Sequence, residues 1–163
     1  KRIDPWPYQD LFFSYVYYGN LTPVFSDTNR PATITENDLE ARNFQVLLVT
    51  GIAKSLRVKD HLHQYTDKIW HLEFGDHHTY RKKDVNRMLK QFKAIEANDK
   101  MILTTEKDAV KFTEIENLPD ELRDNLYFFP LEVEFRHNEE NEFKESIITY
   151  VKTNKRHNSL FKK

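Results

Sequence analysis

The apolar pattern changes character near residue 44. From there Phe44-Gln45-Val46-Leu47-Leu48-Val49 forms a continuous apolar run closed by Thr50-Gly51, which predicts a strand buried on both faces. Val58, Leu62 and Tyr65 then recur at helical spacing, and residues 68–74 alternate weakly as a strand. Val85, Met88, Leu89, Phe92 and Ile95 draw one apolar stripe along an otherwise basic helix. A short buried strand follows at residues 100–104, and a helix starting near Thr105 carries Ala109, Val110 and Phe112. Residues 126–135 read as one strand in which Leu131, Val133 and Phe135 alternate with Glu132 and Glu134. Phe143, Ile147, Ile148 and Val151 mark a last helix, and residues 154–163 read as a polar tail.

Strand and helix therefore alternate four times over residues 44–153. Parallel neighbours need a crossover connection, so this alternation predicts an α/β lobe: a mostly parallel sheet with helices on both faces. Residues 1–43 read as a connector and linker. Within 8–25, two runs of aromatic and β-branched residues flank Gly19-Asn20. Both of those residues tolerate positive φ, which predicts a two-stranded β ribbon closed by a hairpin ahead of the lobe. The polar segment 26–43 carries few large apolar side chains and reads as a linker.

Composition removes several classes of protein. The 163 residues hold 25 Lys+Arg, 26 Asp+Glu and no Cys. That balance argues against a dedicated nucleic-acid surface, which needs a basic excess to displace counterions. Absence of Cys removes disulfides, thiolate zinc sites and Cys nucleophiles together. The three glycines, Gly19, Gly51 and Gly75, stand too far apart for a phosphate-binding P-loop or a dinucleotide fingerprint. No stretch reaches the apolar length of a membrane-spanning helix. The start, Lys1-Arg2-Ile3-Asp4-Pro5-Trp6-Pro7, lacks Met and an apolar core. It is not expected to be a signal peptide, and the chain is expected to be a soluble piece of a longer protein.

In parallel sheets ligands sit beyond the carboxyl ends of the strands, which selects the loops after residues 49, 74 and 104. Gly51-Ile52-Ala53 offers close backbone approach or an ordinary turn. Gly75-Asp76-His77-His78 offers metal ligands, a general base or an oriented imidazole, against a turn Asp with two solvated rings. In extended backbone His77 and His78 would point apart and could not share a metal. In Thr104-Thr105-Glu106-Lys107-Asp108-Ala109-Val110-Lys111, Thr105 and Asp108 fit a capping box. The functional alternative sets Lys107 and the helix N-terminus against an anion. His61 and His63 face differently on their helix and make a poor metal pair. The run Arg81-Lys82-Lys83, continued by Arg87, Lys90 and Lys93, reads as a solvated face or as one turned to phosphate or anionic lipid.

Taken in order, these three loops resemble the C-terminal half of the tetraacyldisaccharide 4'-kinase family, the lipid A 4'-kinases of Gram-negative bacteria. Threonine to lysine in the run 105–111 is the most specific part; Gly51-Ile52-Ala53 and Asp76-His77-His78 with Tyr80 and Asp84 add weight in combination. Gln9, Phe12, Phe13, Tyr17 and Tyr18-Gly19 resemble the family's connector between lobes, so the likeness covers about residues 1–150. The chain departs from the family at Lys54-Ser55, where Asn-Pro is frequent. It departs again at Arg81, where Ser or Thr is usual and would cap a helix.

The resemblance implies transfer of the ATP γ-phosphoryl group to the 4'-hydroxyl of the lipid A precursor tetraacyldisaccharide 1-phosphate. It implies ATP and Mg2+ held mainly by an N-terminal P-loop lobe, the chain's partner, and work at the cytoplasmic face of the inner membrane. His77 and Asp76 are then the catalytic residues. His77 would orient or tune a carboxylate of the other lobe, and Asp76 would hold its tautomer. Gly51, Thr105, Glu106 and Lys107 would line the cofactor side of the interlobe cleft; no residue here is assigned to a metal. By itself the chain is expected to be inactive. Two other readings compete: a metal-dependent Asp-His-His phosphoesterase, which lacks upstream His clusters here, and a non-catalytic module that docks a partner through its aromatic ribbon.

Overall fold

The apolar run at 45–50 becomes a central strand of a five-stranded sheet in the computed structural model, which describes residues 3–7, 9–27, 33–53 and 55–157. The strands are β1 (Ser14–Tyr18), β2 (Thr22–Pro23), β3 (Gln45–Thr50), β4 (Ile69–Glu73), β5 (Lys100–Thr105), β6 (Leu126–Phe129) and β7 (Leu131–Phe135). The helices are α1 (Glu36–Ala41), α2 (Leu56–Leu62), α3 (Lys82–Ala94), α4 (Glu106–Thr113), α5 (Asp120–Arg123) and α6 (Glu140–His157). By density of contacts the chain divides into two units, Tyr18–Leu131 and Lys1–Tyr17 with Glu132–Lys163.

In the first unit the strand order is β2-β6-β5-β3-β4. β6, β5, β3 and β4 run parallel, and β2 joins the edge antiparallel to β6. Side chains alternate across β3, so each face of the sheet receives half of them. Leu47 and Val49 join Val85, Met88 and Phe92 of α3 and Phe112 of α4 in one core. Val46 and Leu48 join Leu39 of α1 and Val58 and Leu62 of α2 in the other. The chain leaves β3 for β4 through α2, then crosses back over β3 through α3 to reach β5. Reversing the direction of travel at constant handedness moves the crossover helix to the opposite face. The reversal falls between the carboxyl ends of β3 and β5, where such sheets bind ligands. The α/β class, the mostly parallel sheet and helices on both faces thus agree with the apolar pattern.

Four local expectations need correction. A two-stranded ribbon is present, but the runs flanking Gly19-Asn20 do not pair with each other. β1 pairs with β7 in the second unit, where Tyr15 donates to Glu134 and Tyr17 to Glu132, an antiparallel register. Neither Gly19 nor Asn20 adopts positive φ, so no hairpin turn forms; Gly19 instead donates to the Pro130 carbonyl at 2.9 Å. The segment after it turns to the sheet edge, and Leu21 becomes fully buried in the second core. Burial of a leucine and pairing with β6 outweigh the local turn preference.

The polar segment 26–43 is not all linker. Ile34 bridges Leu21, and α1 follows with a full capping box between Thr35 and Asp38. One buried residue, Leu39, anchors this short helix, so no apolar stripe announces it. Residues 28–32 lie outside the described residues. The single strand expected over 126–135 is two strands, because Pro130 offers no N–H to a continuing ladder. Finally, α6 runs through residues 154–157 of the expected polar tail, while 158–163 lie outside the described residues. Within its unit, Phe143 of α6 packs edge-on to Phe12 at 5.3 Å and tilted on Phe135 at 4.7 Å.

Candidate functional site

The start of α4 organises the reversal point. Thr105 accepts the N–H of Asp108 at 3.2 Å and donates its own hydroxyl proton to Asp108 Oδ2 at 3.0 Å. The expected capping box stops there, because the carboxylate does not return to the Thr105 amide. Its Oδ2 accepts the N–H of Gly51, the first residue beyond β3, at 2.7 Å. Its Oδ1 receives Lys111 Nζ at 2.7 Å. Asp108 is fully buried, so every one of these bonds satisfies a charge removed from water.

Gly51 stands in this place for lack of room. A Cβ built on it would lie 3.1 Å from Asp108 Oδ1, 3.1 Å from the Tyr80 hydroxyl and 3.3 Å from His78 Cβ. The Tyr80 hydroxyl is buried without a hydrogen-bond partner, and its ring packs on Phe112 at 4.3 Å. Burial, reinforced by the Asp108 charge, pushes the Tyr80 phenol far above its ordinary pKa of 10.0. It therefore stays protonated.

Beyond β4, Phe74 donates its N–H to the Thr50 carbonyl at 2.8 Å, and His78 closes a turn on the Gly75 carbonyl at 3.2 Å. His77 takes a left-handed conformation, φ 58°, which histidine tolerates better than most residues. This bend sends the two histidines to different surroundings. His78 stacks on Phe74, with centroids 4.5 Å apart, and brings Nε2 to 3.0 Å from Asp84 Oδ2. Asp84 also accepts the Arg81 N–H at 2.9 Å, which caps α3 from the third position although Arg81 itself cannot. Burial opposes ionisation of Asp84, but the Arg81 amide and His78 prevail and its pKa falls below the ordinary value.

His77, by contrast, is 76% exposed, with Nε2 3.5 Å from Asp76 Oδ2. Asp76 is fixed by accepting the His77 N–H at 3.0 Å and stands 3.5 Å from Lys107 Nζ. Desolvation works against the Asp76 charge, yet His77 and Lys107 hold its pKa below normal. A cleft of about 270 Å³ beside this rim is lined by His77, His78, Tyr80, Lys111 and Glu114 among others.

Of the residues singled out from the sequence, the structure brings Asp76, His77 and Lys107 into one exposed ionic cluster. Gly51 and Thr105 meet through Asp108. Glu106 stands apart: it accepts the Leu131 N–H at 3.1 Å and lines a different recess with Val24, Ala109 and Phe128. Asp108, Tyr80, His78 and Asp84 lie outside the set of site residues that the resemblance implies. A signal for two of them was available. Asp108 shares the apolar helical face of Ala109 and Phe112, and Asp84 that of Val85 and Met88; a carboxylate on a buried stripe must have partners. Among the described residues no three His, Asp or Glu side chains converge on a metal position, and His78 is committed to Asp84. The phosphoesterase reading therefore gains nothing from this loop.

Titratable groups thus gather beyond the carboxyl ends of a mostly parallel sheet in an α/β lobe. The profile of the tetraacyldisaccharide-1-P 4'-kinase family matches residues 16–152, and the chain belongs to that family. It is 39% identical over 163 residues to a tetraacyldisaccharide 4'-kinase of Bacteroides thetaiotaomicron, covering 98% of this chain and 43% of the relative. It is 37% identical over 162 residues to the Bacteroides fragilis enzyme of the same name, covering 98% of this chain and 42% of that relative. A Parabacteroides distasonis relative of that name is 36% identical over 146 residues, 90% of this chain and 39% of its own length. The chain thus spans about two-fifths of the length of these relatives. No solved structure matches it.

Proposed function

We propose that this chain supplies the C-terminal lobe of an ATP-dependent kinase acting on the 4'-hydroxyl of tetraacyldisaccharide 1-phosphate, a lipid A precursor, at the cytoplasmic face of the inner membrane. Membership of the family supports the reaction class. The observation that carries the reading is the exposed cluster Asp76-His77-Lys107 at the sheet's reversal point. Phosphoryl transfer asks a protein for positioning and for neutralisation of charge. His77 has one ring nitrogen turned to Asp76 and the other free for a carboxylate or hydroxyl presented by a second lobe. Asp76, 3.5 Å from the first nitrogen, restrains the ring. Lys107 supplies positive charge beside them.

The described residues fit the nucleotide and its metal only in part. Lys107 is half-exposed and can meet a phosphate. The amide and hydroxyl that would greet an anion at the start of α4, those of Gly51 and Thr105, already bind Asp108. No carboxylate cluster for Mg2+ is present among the described residues. On this reading ATP and Mg2+ are held mainly by the N-terminal lobe.

The test is reconstitution. The 163-residue chain with ATP and lipid acceptor should form no product, and addition of the remaining portion of the protein should produce transfer to the acceptor. Turnover by the chain alone would overturn the two-lobe reading. Failure of the complete protein to phosphorylate the acceptor would overturn the kinase reading.

A further inference from the structure

α3 leaves the Asp-His-His loop and carries a charge imbalance that the rest of the chain does not share. Between Arg81 and Lys93 six cationic side chains stand against one carboxylate, Asp84, in a chain whose 25 basic and 26 acidic residues nearly cancel. Asp84 is buried and held by His78 and the Arg81 amide. All six cations are exposed. Lys93 pairs with Glu121 at 3.1 Å. Among the described residues no carboxylate lies within ion-pair distance of Lys82, Lys83, Arg87 or Lys90. Lys83, Arg87 and Lys90 fall at i, i+4 and i+7, a spacing at which like charges repel and weaken a helix. Among the described residues no ion pair of these three side chains offsets that repulsion.

The helix offers this face as charge alone, because its apolar residues Val85, Met88 and Phe92 are buried in the core. The face also borders the rim of the candidate site. The Arg87 guanidinium lies 5.8 Å from the centroid of Phe74, a ring that also stacks on His78 and meets Tyr80 edge-on. We propose that the exposed face of α3 docks electrostatically on an anionic phospholipid bilayer, holding the Asp76-His77 rim at headgroup level. The inference rests on the kinase reading for its choice of occupant: an acceptor with several acyl chains resides in a membrane. Three of the five cations without an ion pair are lysines, flexible point charges suited to a diffuse anionic plane rather than to bidentate reading of a groove. Binding of this kind attracts without insertion and weakens with salt.

Co-sedimentation of the 163-residue chain with vesicles tests the proposal. Vesicles of phosphatidylglycerol and phosphatidylcholine in about a 1:2 ratio should bind it at low salt, and pure phosphatidylcholine should not. Each lysine removed should weaken partitioning roughly fivefold, so K82Q/K83Q/K90Q together should weaken it by about 100-fold. The single reversal Lys83→Glu provides the same readout should the triple variant fail to fold. Equal binding to neutral vesicles, undiminished binding of the folded variants, or tighter binding to duplex RNA than to anionic vesicles at matched salt would overturn it. Sedimentation needs neither ATP nor a second lobe. Loss of vesicle binding in an active complete protein therefore refutes this docking alone, and binding by an inactive one refutes the catalytic reading alone.

Discussion

Asp108 accepts the backbone N–H of Gly51 at 2.7 Å and so ties the first turn of α4 to the end of β3. The two residues are 57 positions apart, and the bond crosses the place where the sheet reverses direction. A carboxylate expected to serve only its own helix serves two loops. Removing it strands the Gly51 amide, the Thr105 hydroxyl and the Lys111 ammonium group together. Asp108→Ala should therefore lower unfolding free energy by about 3–5 kcal/mol, the range for breaking a buried charged pair. Asp108→Asn keeps one acceptor oxygen and should lose less. Urea denaturation of the two variants checks the order; an alanine variant within about 0.5 kcal/mol of wild type would show the bonds to be dispensable.

Gly51 and Tyr80 make a second pair that can be tested as a pair. Gly51→Ala would force its methyl against the Tyr80 hydroxyl and Asp108 Oδ1, each 3.1 Å away, and should cost about 1–3 kcal/mol. Tyr80→Phe removes a buried hydroxyl that has no partner, so it should be neutral or stabilising by up to about 1 kcal/mol. It also makes room. The double variant should thus be more stable than Gly51→Ala alone, a coupling that a double-mutant cycle measures directly. Strict additivity would place the clash elsewhere.

Much of this architecture could be read from the chain, and the failures have a common cause. β3 and β5 declare themselves because burial on both faces demands continuous apolar runs, and α3 because one face alone is buried. The pairing of β1 with β7 escaped because it joins segments more than 110 residues apart, a distance no local pattern encodes. α1 escaped because a six-residue helix anchored by Leu39 has no stripe to show. At the site, Asp76-His77-His78 was legible as a motif, but not the opposite fates of its histidines. That split depends on the left-handed backbone of His77 and on Phe74 and Asp84, which receive His78. Glu106 looked like a neighbour of Lys107 and is one in sequence, yet a helix turns adjacent side chains in different directions.

His71 gives the lobe a pH dependence. Its ring on β4 lies 2.9 Å from Thr50 Oγ1. Burial holds its pKa below the ordinary 6.5, assisted by Lys59 and opposed by Glu73. The unfolded chain then binds this proton more readily than the folded one, so stability is full above the unfolded value. It declines as pH falls through about 6.5 and levels off below the folded value. His71→Gln removes this contribution while keeping a polar group for Thr50. Urea midpoints measured from about pH 8 to pH 5 should fall more steeply in wild type than in the variant. Parallel curves would show that His71 does not titrate with folding.

The neighbouring histidines predict opposite signatures. His78 stacks on Phe74 and bonds Asp84, so His78→Ala should destabilise by about 1–2 kcal/mol from lost packing and an orphaned carboxylate. His77 is 76% exposed and touches little beyond Asp76, so His77→Ala should leave stability within about 0.5 kcal/mol. In the complete protein, on the kinase reading, His77→Ala should instead lower kcat by roughly a hundred- to ten-thousand-fold, the range for a group assisting proton transfer. Asp76→Asn should fall between wild type and His77→Ala, because it loosens the ring without removing it. Thermal melts and steady-state kinetics on the same preparations separate the two roles. A destabilised His77→Ala with normal kcat would make that residue structural and leave the exposed cluster without a chemical task, whereas a stable protein with lowered kcat is what an imidazole awaiting a second lobe requires.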